Sequence, residues 1–186
     1  MQKPKCSILL IDIGSPYNIG NILRTSYDLC ADKCTMYVFD PRKIMKELKD
    51  KIEKISLNRG KFILVNNLIE FLQKYTGRII LSDIKNNACP LKSFKFLNND
   101  LILFGNENRG YYDSINGKMK IRPELKKYKT SLIVEMLGAT KKLPNKNKIC
   151  SPNHGVYPNC NVSNVAAIVM REVMLQFGYY ENFKLK

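Results

Sequence analysis

Residues 7–13, SILLIDI, constrain the fold of this chain more than any other stretch. The run is almost continuously apolar, with no alternation of period two. A strand of that kind is covered on both faces, which is the condition of a central strand in a parallel sheet flanked by helices. The segments that follow alternate accordingly. From Asn18 to about Ala31, Ile19, Ile22, Leu23 and Tyr27 recur at helical spacing; TMYVF (35–39) reads as a strand closed by Asp40-Pro41. Residues 42–55 predict a lysine-rich helix with Ile44, Met45, Leu48, Ile52 and Ile55 on one side. FILV (62–65), RIILS (78–82) and DLILF (100–104) read as further strands, with a helix at LIEFLQKY (68–75). Residues 111–150 are less regular, with a candidate strand at SLIVEML (131–137) and a basic loop, KKLPNKNK (141–148). VSNVAAIVMREVMLQFG (162–178) is the most strongly helical segment and stops at Gly178. Strands alternating with helices imply βαβ units, hence an α/β fold with a mostly parallel sheet. No linker divides the 186 residues, so one domain is expected.

Several function classes drop out early. No run of 18 apolar residues is present, as a membrane-spanning helix would require. The N-terminal apolar run breaks at Asp12 without a small-residue cleavage pattern, so it is a first strand and not a signal peptide. Six cysteines (6, 30, 34, 89, 150 and 160) form no CxxC pair, which suits free thiols in a reducing compartment and a cytoplasmic location. The sole histidine, His154, lies between Cys150 and Cys160 without a fourth ligand at usable spacing, so no metal is expected. The 31 Lys and Arg against 16 Asp and Glu give a net charge of +15, which suits an anionic partner such as nucleic acid. Solvated lysines in an Asn-, Ile- and Lys-rich composition account for the same number, and charge locates no site.

In parallel sheets ligands gather beyond the C-terminal ends of the strands. Three loops there are unusually polar. The first, GSPYNIGNILRTS after the opening strand, starts a helix on which Asn18, Asn21, Arg24, Thr25 and Asp28 recur at steps of three or four, forming one polar stripe. The second, LFGNENRG, follows DLILF; two glycines bracket Asn106, Glu107, Asn108 and Arg109. It is neither a P-loop, since Tyr111-Tyr112 stand where Lys and Ser or Thr are required, nor a GxGxxG fingerprint. The third, CSPNHGVYPNCNVSNVAA, is an irregular loop crowded with Asn that leads into the last helix. Singly, each also suits a solvated helix face, a turn or a capped helix start.

Jointly, in order and placement, NIGNILRT, LFGNENRG and SPNHGVYPNCNVSNVAA resemble the three motifs of the SpoU (TrmH-type) RNA ribose 2′-O-methyltransferases of the SPOUT class, over residues 7 to about 178. The resemblance implies a mostly parallel sheet with helices on both faces and a C-terminal segment threaded into a deep trefoil knot, a topology otherwise nearly absent from proteins. It implies S-adenosylmethionine as cofactor, with contacts from Leu81, Gly105, Ser151, Asn159 and Cys160. It implies a homodimer that buries the first-motif and C-terminal helices, and no metal. By the same resemblance Arg24 activates the ribose hydroxyl, Asn18 fixes the first loop, Glu107 orients Arg24 or the substrate, and Asn161 braces the knot. The polar stripe of the first helix then faces RNA.

The chain departs from the family pattern at Asn159-Cys160-Asn161, where Ser-Leu-Asn is usual, and at Ser151-Pro152-Asn153, where Ile-Pro-Met is usual. Those departures motivate a second reading, a knotted relative that binds RNA without turnover. The stretch between Gly110 and Ser151 is longer than is typical, and its Lys141, Lys142, Lys146 and Lys148 are candidate RNA contacts alongside Arg24. The chain starts directly at its first strand, as in the compact family members, so no separate N-terminal RNA-binding domain is expected. The substrate expectation is methyl transfer to structured RNA, with tRNA slightly favoured over rRNA.

Overall fold

In a computed structural model, residues 4–43, 45–82, 88–107, 109–115, 118–128, 130–133 and 161–180 are described. The chain alternates as its apolar pattern requires: β1 (Cys6–Ile11), α1 (Pro16–Cys30), β2 (Cys34–Phe39), α2 (Met45–Ile55), β3 (Phe62–Leu64), α3 (Leu68–Lys74), β4 (Ile79–Ser82), β5 (Cys89–Pro90), β6 (Asp100–Phe104), β7 (Tyr112–Ile115), β8 (Lys118–Ile121), β9 (Ser131–Ile133) and α4 (Val162–Gln176). A seven-stranded sheet has the order β3-β2-β1-β6-β4-β9-β5, and its strand pairs are parallel. A separate antiparallel pair joins β7 and β8.

Every residue of β1 is buried. Alternate side chains feed two cores, which is why the run shows no polar face. Cys6, Ile8 and Leu10 pack with Met36, Val38, Ile102 and Phe104 under α1, α2 and α4, which contribute Ile19, Ile22, Met45, Ile52, Val169 and Met170. Leu9 and Ile11 pack with Leu101, Leu103 and Leu81 on the opposite face, against Leu68 and Leu72 of α3 and Leu125. Each such fully buried aliphatic side chain contributes about 1.5–3 kcal/mol relative to exposure. Helices therefore cover both faces, as expected.

Two close packings fix α1. A Cβ at Gly20 would stand 2.6 Å from the Ile55 side chain, so glycine is what lets α1 and α2 approach. On its other flank α1 packs against α4, whose Ala166, Val169, Met170, Val173 and Met174 are buried within the chain. The apolar residues of residues 162–178 are thus used largely inside this subunit. On these two helices Tyr17, Tyr27, Ile168 and Leu175 remain exposed.

The helix predicted from residue 42 begins at Met45. Asp40 explains the delay: its carboxylate accepts from the amides of Arg42 (3.2 Å) and Met45 (2.7 Å), and Lys43 takes a positive φ of 60°. The expected strand at residues 131–137 is described only as Ser131–Ile133. The expected knot falls on a C-terminal stretch that includes residues 134–160, outside the described residues.

The order of strands locates the site. From β1 the chain builds outward through β2 and β3, then crosses to β4 on the other side and later returns to lay β6 between β4 and β1. The direction reverses between β1 and β6, which pair from Cys6↔Asp100 to Leu10↔Phe104. The loops leaving the C-terminal ends of these two strands are neighbours, and in sheets of this kind the crevice there is where ligands bind.

Candidate active site

The loop after β6 is wound tightly on itself. The Asn106 amide donates to the Gly110 carbonyl (2.9 Å) and the Gly110 amide to the Asn106 carbonyl (2.7 Å). A Cβ at Gly105 would lie 2.5 Å from the Gly110 carbonyl group, and Gly110 itself has φ +57°. Both glycines of LFGNENRG are therefore demanded by the turn. What the turn projects is a set of polar side chains aimed at the loop after β1.

Glu107 makes the principal connection. Its Oε2 accepts from the Gly14 amide (2.8 Å), and its Oε1 accepts from the Ser15 amide (3.2 Å) and from Asn18 Nδ2 (2.7 Å). Helix α1 has no acidic residue in its first turn and no side-chain cap from Ser15. Glu107 supplies from across the sheet the negative charge that a helix N-terminus favours. Burial pushes the Glu107 carboxyl up, but the hydrogen bonds from Gly14, Asn18 and Ser15 outweigh it and hold the group below its ordinary value.

Asn106 and Arg109 add a second seam. Asn106 Nδ2 donates to the Asp12 carbonyl (2.7 Å), and Arg109 Nη2 lies 2.6 Å from Asp12 Oδ2. Asp12 has φ +56° and is buried at the end of β1. Its carboxylate also meets Arg42 Nε at 2.9 Å and Arg122 Nη2 at 3.5 Å. Sequence reasoning took Asp12 only as the end of an apolar run and passed over Arg42 and Arg122. The legible signal was a carboxylate abutting a strand buried on both faces, a position that requires a partner.

The predicted site residues do not all come together. Asn18 and Glu107 are in direct contact. Leu81 and Gly105 lie at the C-terminal ends of the adjacent strands β4 and β6, paired through Leu81↔Leu103; the Tyr111 hydroxyl bridges these ends, within hydrogen-bond reach of the Ser82 (3.0 Å) and Leu103 carbonyls. Arg24 stands apart. Six residues beyond Asn18, it is about 9 Å further along the axis. It is exposed and its Nε lies 3.8 Å from Asp28 Oδ2, while Asp28 Oδ1 accepts from Arg59 Nη1 at 2.8 Å. The carboxylate of Glu107 is taken up by Gly14, Ser15 and Asn18, and Asp28, not Glu107, is the described partner of Arg24. Asn161 is the N-cap of α4, its Oδ1 accepting from the Ser163 amide at 2.8 Å. Ser151, Asn159, Cys160, Lys141, Lys142, Lys146 and Lys148 lie outside the described residues.

The polar stripe of α1 is not uniform. Asn18 is buried, whereas Asn21, Arg24 and Asp28 are exposed. Clefts lined by Ile69, Leu72, Pro123 and Tyr128, and by Tyr37, Ile63, Val65 and Phe71, flank α3 and include none of the predicted site residues. Among the described residues no group of three or more His, Cys, Asp or Glu side chains is placed to hold a metal, and no helix is long and apolar enough to cross a membrane. Cys6, Cys30, Cys34 and Cys89 are free thiols. The Cys30 and Cys6 thiols beside Cys34, and then burial, push its thiol well above the ordinary range.

The sequence model of the SpoU rRNA methylase family matches residues 5–131, more than half of the chain. The chain belongs to the SpoU rRNA methylase family. Members of that family are RNA methyltransferases that use S-adenosylmethionine. A search of curated proteins finds no match. Among solved structures, one concerned with the 2-OH methylation of C/U34 on tRNA is 18% identical with a TM-score of 0.67, over 95% of this chain and 98% of that one. The TrmH/SpoU tRNA-modifying enzyme of A. aeolicus is 14% identical, TM-score 0.67, over 97% and 79%. The SpoU methyltransferase AviRb of Streptomyces viridochromogenes, solved with AdoMet, is 18% identical, TM-score 0.60, over 95% and 62%.

The SpoU fold gives the described geometry its meaning. The first two motifs carry Asn18 and Glu107, which the β1–β6 pairing brings into contact although they are 89 residues apart. Leu81 is buried, and the side of Gly105 where a Cβ would stand is filled by the Gly110 carbonyl group.

Proposed function

We propose that this chain is a SpoU enzyme that transfers a methyl group from S-adenosylmethionine to a ribose 2′-hydroxyl of structured RNA. The observation that carries the reading is the contact of Asn18 with Glu107, which locks the start of α1 onto the loop after β6 at the point where the sheet reverses direction. The proposed cofactor contacts are Leu81 and Gly105, joined by Ser151, Asn159 and Cys160 from the third motif. S-adenosylmethionine supplies an electrophilic methyl group on a sulfonium.

The chain must then deal with the ribose hydroxyl, which is scarcely ionised at neutral pH. Donors preorganised around the developing alkoxide lower that barrier. Arg24 is assigned this role because its guanidinium is exposed and its described partner is the exposed carboxylate of Asp28. A guanidinium stays protonated, so Arg24 acts as donor and as a hold on ribose and phosphate, with the proton passing on through the bound substrate. Glu107 and Asn18 keep the first loop and α1 in register, and Asn161 caps the start of α4. Lys141, Lys142, Lys146 and Lys148 add RNA contacts. A tRNA substrate is favoured over rRNA because two of the structural relatives above act on tRNA by description. Association through the exposed Tyr17, Tyr27, Ile168 and Leu175 gives a homodimer, and an RNA substrate implies action in the cytoplasm.

The test is incubation with methyl-labelled S-adenosylmethionine and bulk tRNA or rRNA, followed by digestion to nucleosides. Label is expected in 2′-O-methyl nucleosides of tRNA. Label in a methylated base contradicts the reaction assigned. Salt-sensitive RNA binding without incorporation favours the catalytically impaired relative suggested by Asn159 and Ser151.

A further inference from the structure

Three guanidinium groups converge on one carboxylate at the end of β1, and two of them keep an exposed side. Asp12 is met by Arg42 Nε at 2.9 Å, Arg109 Nη2 at 2.6 Å and Arg122 Nη2 at 3.5 Å. Glu107 keeps its charge beside the same loop, but its oxygens accept from Gly14, Ser15 and Asn18, and no described ion pair joins it to an arginine. Like charges held this close repel, and a second anion relieves that repulsion.

The three arginines are not equivalent. The Arg122 side chain is 8% exposed, whereas those of Arg42 and Arg109 are 39% and 35% exposed. Arg42 sets Nε 2.9 Å from Asp12 Oδ1 as an ion pair without a hydrogen bond and donates Nη2 to the Ile13 carbonyl (3.0 Å), and Arg109 donates Nη2 to Asp12 Oδ2. The described contacts leave Nη1 of Arg42, and Nε and Nη1 of Arg109, for another acceptor. Their position is specific. Arg42 Nη1 lies 4.0 Å, Asn106 Nδ2 3.8 Å and Glu107 Oε2 3.4 Å from the point where a Cβ on Gly14 would stand. The free side of Arg42 therefore borders the loop that opens α1.

We propose that Arg42 and Arg109 form a subsite for an RNA phosphodiester, with Asp12 as the positioning residue that holds both guanidinium planes ready. This deepens the function proposed above and rests on it for the identity of the anion. A guanidinium fork matches a phosphate as an ammonium does not, and a fork already oriented by a buried carboxylate loses less entropy on binding. The arrangement would serve as a fixed point for the backbone beside the target ribose, distinct from the Arg24–Asp28–Arg59 cluster further along α1.

The test compares the salt dependence of tRNA binding by the full chain, its R42Q, R109Q and R42K variants, and K49Q, a solvated α2 lysine, as control. Each of R42Q and R109Q is expected to lower the log–log salt slope by about 0.7–0.9, the loss of one phosphate contact. R42K is expected to keep the slope while binding several-fold more weakly than wild type. Inorganic phosphate, against chloride at equal ionic strength, is expected to raise the unfolding midpoint of the wild type and not of R42Q. Slopes of R42Q and R109Q no lower than that of K49Q, with both variants folded, overturn the subsite. If R109Q does not fold, R42Q with the phosphate measurement decides alone. Normal methylation with unchanged slopes defeats the subsite and leaves the enzyme reading; reduced slopes without any methylation defeat the enzyme reading and leave the subsite.

Discussion

Asp12 and Asp28 are both carboxylates gripped by arginines, and they serve opposite ends. Asp12 is buried at the seam between β1 and β6, and its partners come from residue 42, from the loop after β6 and from Arg122 after β8. Asp28 is exposed on α1, with Arg24 on its own helix and Arg59 after α2. Breaking a buried pair strands charge away from water and costs about 3–5 kcal/mol. An exposed pair is worth about 0–1 kcal/mol. The first cluster is therefore architecture that keeps its arginines fixed. The second can be exchanged cheaply for a substrate, which is what a residue handling a ribose needs. Helix α1 spans both regimes, locked at Asn18 and open at Arg24.

The largest expected effect follows from removing the buried hub. Asp12→Ala is expected to destabilise the chain by about 3–5 kcal/mol in urea unfolding, because three guanidinium groups lose their counter-charge. Glu107→Gln comes next, at about 1 kcal/mol, since Gly14, Ser15 and Asn18 lose a charged acceptor. Its pH signature is specific. Glu107 titrates below its ordinary 4.5 in the fold, so its contribution is complete above that value and is lost as the pH falls through the lower folded value. The wild type is expected to lose this increment on acidification, and Glu107→Gln is expected to show a flatter profile over that window.

Asp28→Ala is expected to change stability by less than about 1 kcal/mol, with the unfolding midpoint as readout. A drop as large as that of Asp12→Ala would erase the distinction between the two clusters. The smallest effect on stability is expected for Arg24→Ala, within about 0.5 kcal/mol of wild type, as for other surface substitutions.

The contrast also shows what the sequence made legible. Strand β1, strand β6 and helix α1 were readable because each is specified locally, by a run buried on both faces or by apolar residues at helical steps. β6 was placed at residues 100–104 and forms there. The β7–β8 hairpin was missed although Asn116-Gly117 separates the paired Ile115 and Lys118, a dipeptide favoured in two-residue hairpin turns. The Asp12 hub was beyond local reading, since Arg109 lies 97 residues away and arrives only through the β1–β6 pairing. Glu107 was singled out by the resemblance, but its partners were not: the expectation that it orients Arg24 or the substrate did not reach its contact with Asn18, which stands about 9 Å along α1 from Arg24. Spacing on a helical wheel shows which residues share a face, and not how far apart they stand along it.

The most direct test is methyl transfer by Arg24→Ala beside its unfolding midpoint and its S-adenosylmethionine affinity. Loss of 2′-O-methylation of tRNA, with midpoint and cofactor binding at wild-type values, is the result this account requires. Undiminished transfer by that variant would contradict it.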